Sequence, residues 1–192
     1  VLAPIAEYPE IQFSLKMRLG WENASECMVL VELLNALRLS RIALHARTGK
    51  QQYKGHPDLE AFQGFYELCQ HPLYYNGDIE SLSDIRQILT RFPLLKGVFI
   101  GRGLLSSPLL AKEFKGNETF LPEQRMSIYF AFHEELFSAY SQVLQGETQL
   151  LVKMKTLWEY FLPETDRKLL KRIKKSTRLQ QYTESVKAIF TS

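Results

Sequence analysis

The first half of the chain alternates between two hydrophobic patterns. Short apolar or aromatic runs end in polar or glycine-containing turns, and each turn leads into a stretch whose apolar residues recur every three or four positions. The runs are typical of strands and the stretches of amphipathic helices, with Asp58 and Ser81 as expected N-caps. The pattern predicts strands over residues 11–19, 41–45, 73–75 and 97–100, and helices over residues 22–37, 58–69, 81–91 and 104–114.

The turns between these elements recur at similar intervals. Residues 16, 45, 76 and 101 mark them and are separated by 29, 31 and 25 positions. Such spacing is produced by consecutive βα units, in which neighbouring strands run parallel. Because ligands of such proteins bind at the carboxyl ends of the strands, we expect the four turns to line one site.

A different pattern begins after residue 116. Four helical patterns follow with no strand predicted between them, over residues 122–144, 147–161, 164–175 and 179–190. Their apolar stripes are typical of helices buried on one face. We therefore predict two domains, an α/β domain over residues 1–116 and an all-α domain over residues 117–192.

Composition fits a globular protein that lies outside the membrane. The 192 residues are 45% hydrophobic and 23% charged, which is ordinary for a globular domain. No apolar run approaches the roughly 20 residues of a membrane span, and residues 1–10 lack a signal-peptide pattern. Cys27 and Cys69 form neither a disulfide framework nor a metal motif, so we assign no metal site and expect a reducing cytoplasm.

Positive charge is concentrated near the carboxyl terminus. The net charge is only +3, yet residues 163–178 contain seven lysines and arginines against two acidic residues. Within this stretch Lys168, Lys171, Arg172 and Lys175 are spaced by three and four, so they share one face of a helix. A solvated face is the usual use of such a run, whereas a local basic patch also suits a polyanionic partner.

A second positive segment follows the predicted strand at residues 41–45. The loop over residues 47–56 carries Arg47, Lys50 and Lys54, together with one aromatic residue, Tyr53. Its glycines exclude a regular element. The mixture suits a phosphate-bearing partner, and a solvated loop explains the composition equally well.

Two of the turns contain residues that suit a phosphate group. Gly77, Gly101 and Gly103 allow close approach of a ligand to backbone amides at a helix start. Arg102 supplies a planar, permanently charged set of donors for phosphate oxygens. We therefore interpret these turns as candidates for holding a phosphorylated cofactor.

Four polar side chains complete this candidate site. If the first strand is buried on both faces, as parallel strands usually are, Lys16 points into an interior and needs an anionic partner. His45 ends a predicted buried strand beside the same turns. Asn76 can both donate to and accept from a heterocycle edge, and Asp78 can order its turn or accept from a sugar hydroxyl.

Four motifs, in this order and spacing, resemble those of the tRNA-dihydrouridine synthases. The resemblance covers residues 11–108, with Ala46 standing where the family commonly has glycine. The helical remainder is similar in type to that family's carboxyl-terminal RNA-binding domain, with Lys155 and Trp158 in a familiar setting. The motifs are SLKMRLGW (residues 14–21), LHART (44–48) with QYKG (52–55), NGDI (76–79) and VFIGRG (98–103).

The resemblance implies a fold and an activity. The fold is α/β, with four parallel strands and their helices forming the second half (strands five to eight) of a flavin-binding TIM (β/α)8 barrel, followed by an all-α helical tRNA-binding domain. The activity is FMN-dependent reduction of a uridine 5,6 double bond in tRNA, with NADPH as reductant. The implied cofactor-binding residues are Lys16, His45, Asn76, Gly77, Asp78, Gly101 and Arg102, and the implied RNA-binding residues are Arg47, Lys50, Lys54, Lys168, Lys171, Arg172 and Lys175.

The resemblance also places part of the enzyme upstream of Val1. The family's first four strands, its amino-terminal flavin-binding turn and its catalytic cysteine precede these motifs, and neither Cys27 nor Cys69 lies in the motif of that cysteine. We therefore assign no catalytic residue and expect the chain to be inactive alone. Four parallel strands leave two unpaired edges, which predicts self-association.

Two other functions are compatible with the residues. The chain could be a non-catalytic RNA-binding module whose basic helices do the binding, or part of another FMN-dependent TIM-barrel enzyme resembling dihydroorotate dehydrogenase. The second has no use for the basic helical tail, so a salt-dependent affinity for tRNA excludes it. Upstream sequence with four further strands and a cysteine would exclude the first.

Overall fold

The chain folds into two compact units, Val1–Gly101 and Arg102–Ser192. The structure is a computed structural model, and it describes residues 8 and 10–191. The first unit alternates strands and helices in the order predicted from the sequence. Its elements are β1 (Phe13–Gly20), α1 (Glu26–Asn35), β2 (Leu39–Thr48), α2 (Leu59–Leu68), β3 (Leu73–Asn76), α3 (Leu82–Arg91) and β4 (Gly97–Phe99).

The four strands form one parallel sheet in the order β1-β2-β3-β4. Parallel pairing in chain order, with a helix after each of the first three strands, confirms the predicted run of βα units. The arrangement is consistent with part of a (β/α)8 barrel. Across the part of the chain that the structure describes, β1 and β4 each pair with a single neighbouring strand.

Side-chain caps set the starts of two helices in this unit. The Asp58 carboxylate accepts a hydrogen bond from the Ala61 amide at 2.9 Å, so α2 begins at the next residue. Before α3, the Ser81 hydroxyl accepts from the Asp84 amide at 3.2 Å, and the Asp84 carboxylate accepts from the Ser81 amide at 2.8 Å. This reciprocal capping satisfies amides that lack a partner within the helix. Both caps are those predicted from the sequence.

One face of the sheet is apolar and is covered by the helices. Ile42 and Leu44 of β2 and Tyr75 of β3 are buried on this face. The Phe62 ring of α2 lies 5.0 Å from the Tyr75 ring and also 5.0 Å from the Phe92 ring, both edge-on. Edge-on aromatic packing of this kind adds to the free energy of burial. The apolar face is therefore the core of the first unit.

The opposite face, here termed the polar face, carries Lys16, Arg18, His45 and Asn76, together with the rings of Tyr74 and Phe99. Lys16 is exposed and Arg18 is partly buried, whereas Ala43 and His45 of the neighbouring strand are buried. The expectation that β1 is buried on both faces, with Lys16 in an interior, is therefore wrong. The reason is that α1, α2 and α3 pack against the apolar face, so the alternation in β1 separates a covered side from an open one.

The second unit is all helical. It begins at Arg102, whereas the pattern of the sequence placed a domain boundary between residues 116 and 117. Pro108 lies between the first two helices, which replace the single helix predicted over residues 104–114. In residues 8 and 10–191, no helix has the length and hydropathy to cross a bilayer. The helices are α4 (Arg102–Ser106), α5 (Leu110–Gly116), α6 (Pro122–Val143), α7 (Glu147–Leu157), α8 (Arg167–Lys175) and α9 (Leu179–Phe190).

A chain of hydrogen bonds crosses the core of this unit. The Trp158 indole donates to the Tyr182 hydroxyl at 3.0 Å, and that hydroxyl lies 2.6 Å from Nε2 of His133. The other ring nitrogen, Nδ1, lies 3.1 Å from a Glu134 carboxylate oxygen. Burial lowers the pKa of His133, so the ring is neutral at pH 7. A single arrangement then satisfies every partner: Nδ1–H donates to Glu134, and Nε2 accepts from Tyr182.

Candidate functional site

Near their carboxyl ends the strands are linked in two pairs by side-chain hydrogen bonds. The register places Arg18, His45, Asn76 and Phe99 next to one another across the sheet. The Arg18 guanidinium donates to the Thr48 carbonyl at 2.7 Å, which joins β1 to β2. The Asn76 amide donates to the Phe99 carbonyl at 2.9 Å, which joins β3 to β4. This row of residues forms the candidate site.

His45 lies at the centre of this row and is neutral at pH 7. The residue is 7% exposed. Burial lowers its pKa to about 4, and the positive charges of Arg18, Lys16 and Arg47 contribute, while Asp78 opposes them in part. The structure therefore brings Lys16 and Asp78, both predicted for the site, within electrostatic range of His45. A neutral imidazole here can donate one hydrogen bond and accept another.

Arg18 was not among the residues predicted for the site. It nevertheless neighbours His45 across the sheet and acts on its pKa. The signal was present in the sequence, because Arg18 lies two positions after Lys16 and a strand places such residues on the same face. The polar face therefore carries two cations, Lys16 and Arg18, beside a neutral histidine.

Arg47 is completely buried, which corrects the expectation that it faces RNA. Its guanidinium donates to the Lys54 carbonyl at 2.7 Å and to the Gly55 carbonyl at 2.8 Å, and it forms a salt bridge with Asp78. Its Nε is buried without a hydrogen-bond partner among the residues described. The reason for the error is that β2 extends to Thr48, so Arg47 belongs to the strand rather than to the loop after it.

The two glycines predicted to bind the cofactor, Gly77 and Gly101, have different surroundings. Gly77 has a φ of 150°, and a Cβ there would lie 2.8 Å from the Tyr75 hydroxyl. Its own surroundings thus exclude a side chain. At Gly101 a Cβ would meet nothing within 4 Å, so the folded chain itself leaves space beside this backbone. Gly101 ends the first unit and Arg102 begins α4 in the second, and the convergence of Arg102 with the other residues stays a prediction.

The loop after β2 is bonded to the end of β1. The Gly49 amide donates to the Gly20 carbonyl at 2.8 Å, and the Lys50 amide donates to the Trp21 carbonyl at 2.9 Å. The side chains of both predicted lysines, Lys50 and Lys54, are exposed. The Lys50 ammonium forms a salt bridge with Glu22. The loop thus presents two lysines to solvent on a backbone that is held in place.

The four basic residues predicted on the third tail helix line one surface depression of about 400 Å³, here termed the basic groove. The depression lies between α8 and α9, and all four cationic side chains are exposed. Ile173, on the opposite side of α8, is buried, which orients the cations outward. The prediction that these residues share one face is confirmed. The basic groove is lined by Lys168, Lys171, Arg172, Lys175, Ser176, Gln181, Glu184 and Ser185.

The amino-acid sequence is similar to those of enzymes that modify tRNA. Residues 5–191 match a family model described as dihydrouridine synthase. Proteins named probable tRNA-dihydrouridine synthase are 36% identical to the chain over 100 residues in Rhizobium leguminosarum bv. phaseoli (52% of this chain, 31% of that protein) and over 105 residues in Aquifex aeolicus (55% and 33%). The tRNA-dihydrouridine(16) synthase of Escherichia coli is 28% identical over 110 residues (57% and 35%). The chain thus spans about a third of the length of these relatives.

The salt bridge between Arg47 and Asp78 should contribute strongly to the stability of the first unit. Asp78→Asn keeps the shape of the side chain but leaves a buried guanidinium without its counter-charge, so the free energy of unfolding should fall by about 2 kcal/mol. Urea denaturation measures the change. Glu22→Gln is the matched control, because it breaks the exposed pair with Lys50 and should cost less than about 1 kcal/mol. Equal losses in the two variants would contradict the role given to Arg47.

The buried, neutral state of His45 should make stability depend on pH. Between pH 6.5 and about 4 the unfolded chain binds a proton that the folded His45 does not, so stability should fall as the pH is lowered through this window. The loss attributable to His45 should reach about 3 kcal/mol at the lower end and be absent above pH 6.5. His45→Gln should flatten this part of the curve of unfolding free energy against pH. A variant with the same slope as the original chain would show that His45 does not cause it.

Proposed function

Because the chain belongs to the dihydrouridine synthase family, we propose that it is part of a tRNA-dihydrouridine synthase, which reduces a uridine of tRNA to dihydrouridine with a flavin. The observation that carries the proposal is the cluster of Lys16, Arg18 and His45 on the polar face of the parallel sheet, with Arg18 and His45 in the carboxyl-terminal halves of their strands. Ligands of α/β barrels bind at this end of the sheet. A tRNA-modifying enzyme must also bind the RNA backbone, and the basic groove offers a surface for it.

The polar face suits the ring of FMN. The ring presents carbonyl oxygens and nitrogens along one edge, and this edge gains negative charge when the flavin is reduced. Lys16 and Arg18 place positive charge on the open face, and the neutral His45 offers a hydrogen bond without a further charge. When bound, FMN supplies the hydride, with NADPH as the reductant that recharges it. The role of this chain is to bind and orient the ring and to favour its charged form.

The turns after β3 and β4 suit the ribityl phosphate end of the cofactor. The structure at Gly101 leaves space for a ligand against the backbone. Asp78 fixes the turn after β3 by pairing with Arg47, so it acts on the cofactor by positioning the residues around it. Asn76 likewise uses its amide to hold β4, through the Phe99 carbonyl. In our proposal, Gly77 and Gly101 contact the phosphate directly, and phosphate binding by Arg102 stays a prediction.

The proposed RNA contacts come from both units. Lys50 and Lys54 extend from the loop after β2, and Lys171 and Arg172 extend into the basic groove. Exposed cations of this kind bind phosphates through charge, without selecting a sequence. Arg47 is removed from the set because its guanidinium is buried.

A second function is favoured by one observation. The basic groove is formed entirely by residues 168–185, so it does not depend on the flavin site. The chain would then act as a non-catalytic RNA-binding module. The two functions differ in whether the polar face binds FMN. Self-association is a further proposal: it would use the edges of β1 and β4 that have no partner strand among the residues described, and sedimentation at working concentration tests it.

FMN should bind to the chain through the polar face. Lys16→Gln should weaken FMN binding about tenfold, because it removes a charge-assisted hydrogen bond to the ring. Titration followed by quenching of flavin fluorescence measures the dissociation constant. Lys96→Gln is the matched control, since Lys96 is an exposed lysine just before β4, at the opposite end of the sheet. FMN affinity that is the same in both variants would contradict the assignment of the flavin site.

The basic groove should bind the backbone of tRNA. Substituting Lys171 and Arg172 by glutamine together should weaken tRNA binding and reduce the slope of log affinity against log salt by about 1.5, because two phosphate contacts are lost. Filter binding at several salt concentrations measures the slope. The control substitutes Lys112 and Lys115 of α5, which are exposed and lie outside the basic groove. An unchanged slope in the first variant would refute the assignment of the basic groove.

A further inference from the structure

Trp21 is exposed at the carboxyl end of β1, although tryptophan is among the most costly side chains to leave in water. The side chain is 65% exposed, whereas the other tryptophan, Trp158, is 2% exposed. Single exposed apolar residues are common on protein surfaces. Exposure alone therefore assigns no role to Trp21.

The backbone of Trp21 is fixed at both of its polar groups. Its amide donates to the Glu26 carboxylate at 2.8 Å, and its carbonyl accepts from the Lys50 amide at 2.9 Å. The same carboxylate accepts from the amides of Glu22 and Asn23 at 2.9 and 2.7 Å. These three amides hold the turn between β1 and α1 in one conformation. The indole is thus attached to a rigid segment.

The benzene part of the indole lies against the backbone of Gly49. A Cβ at Gly49 would lie 2.3 Å from Cε3 and 2.8 Å from Cζ3 of the ring, so the absence of a side chain at this position is what allows the contact. Gly49 is not among the glycines with positive φ, so its backbone conformation does not itself demand glycine. Because the ring is held against Gly49 and the residue is about two-thirds exposed, the indole presents a preorganised aromatic surface to solvent.

The surroundings of this ring favour a nucleic-acid base over a protein partner. Lys50 and Lys54 are exposed on the neighbouring loop, and Glu22 partly neutralises Lys50. A protein interface needs on the order of 1,000 Å² of complementary surface, whereas a base needs only one ring face. An exposed indole held beside a basic loop meets the needs of a nucleotide, because the ring can stack on the base and the lysines can attract its phosphates.

We propose that Trp21 stacks against an unpaired base of the RNA substrate, next to the target site at the carboxyl ends of the strands. The inference rests on the proposed function, because it takes RNA as the partner. Base stacking on an aromatic ring tolerates any base, so Trp21 would position the RNA without selecting its sequence. Trp21 is a positioning residue, since it acts on the location of the RNA and not on the reacting atoms.

Tryptophan fluorescence tests the stacking directly. Adding an unmodified tRNA transcript to the 192-residue chain should quench the emission of Trp21, because a stacked base quenches indole fluorescence. Trp158 is buried and provides an unresponsive reference within the same molecule. Trp21→Ala should abolish the quenching. A fully paired RNA duplex should bind through charge and leave the emission unchanged.

Three variants test how much stacking on the indole contributes to RNA binding. Trp21→Ala should weaken tRNA binding about tenfold or more, and Trp21→Phe should restore part of this loss. Gly49→Ala keeps the indole but displaces it from its support, and should reduce both the quenching and the affinity. Circular dichroism of each variant verifies that it is folded. The Trp21 variants should also leave the salt slope unchanged, since they remove no charge.

The outcomes distinguish this inference from the proposed function. If tRNA binds with the expected salt dependence but neither quenches Trp21 nor responds to Trp21→Ala, the stacking role is overturned and the proposed function stands. If tRNA does not bind at all, both fail together. If the fully paired duplex quenches as strongly as tRNA, the ring does not recognise an unpaired base and the inference is wrong.

Discussion

The conformation of the segments at the carboxyl end of the sheet depends on the hydrogen bonds and the salt bridge made by the buried guanidinium of Arg47. A cation without solvent must be surrounded by acceptors, and Arg47 recruits two loop carbonyls and the Asp78 carboxylate. These partners come from the loop after β2 and the turn after β3, so one side chain fixes both segments. The same charge contributes to the low pKa of His45, which keeps the imidazole neutral beside Lys16 and Arg18.

Much of the fold could be predicted from the sequence, because it depends on local chemistry. Turn residues and caps such as Asp58 and Ser81 locate the elements, and the regular spacing of the turns identifies parallel βα units. The ends of the strands could not be predicted as well. Strand β2 spans Leu39–Thr48 because pairing with β1 extends it in both directions, and this pairing joins residues distant in the sequence.

The candidate site was predictable in its location but not in the roles of its members. The spacing of the turns places His45 and Asn76 in the carboxyl-terminal halves of their strands, whereas Lys16 lies in the middle of β1. Their environment depends on which face of the sheet the helices cover, and that is decided by packing. Arg47 illustrates the difference: the loop that follows it in the sequence is polar and basic, yet its side chain is buried. In the second unit, the shared face of the basic residues of α8 could be predicted from their spacing, because helical geometry alone places them opposite the buried Ile173.

The turn after β3 also restricts how this sequence can change. The Tyr75 hydroxyl occupies the space that a Cβ at Gly77 would need, with the Tyr75 ring carbon Cζ and Cγ of Pro57 at 3.2 and 3.3 Å from it. Loss of the hydroxyl, as in Tyr75→Phe, removes the closest of these contacts but leaves the backbone strain of a φ of 150°. Substitutions at the two positions are therefore epistatic: a residue with a side chain at 77 is accessible to evolution only after position 75 has changed, and even then at a cost to the turn.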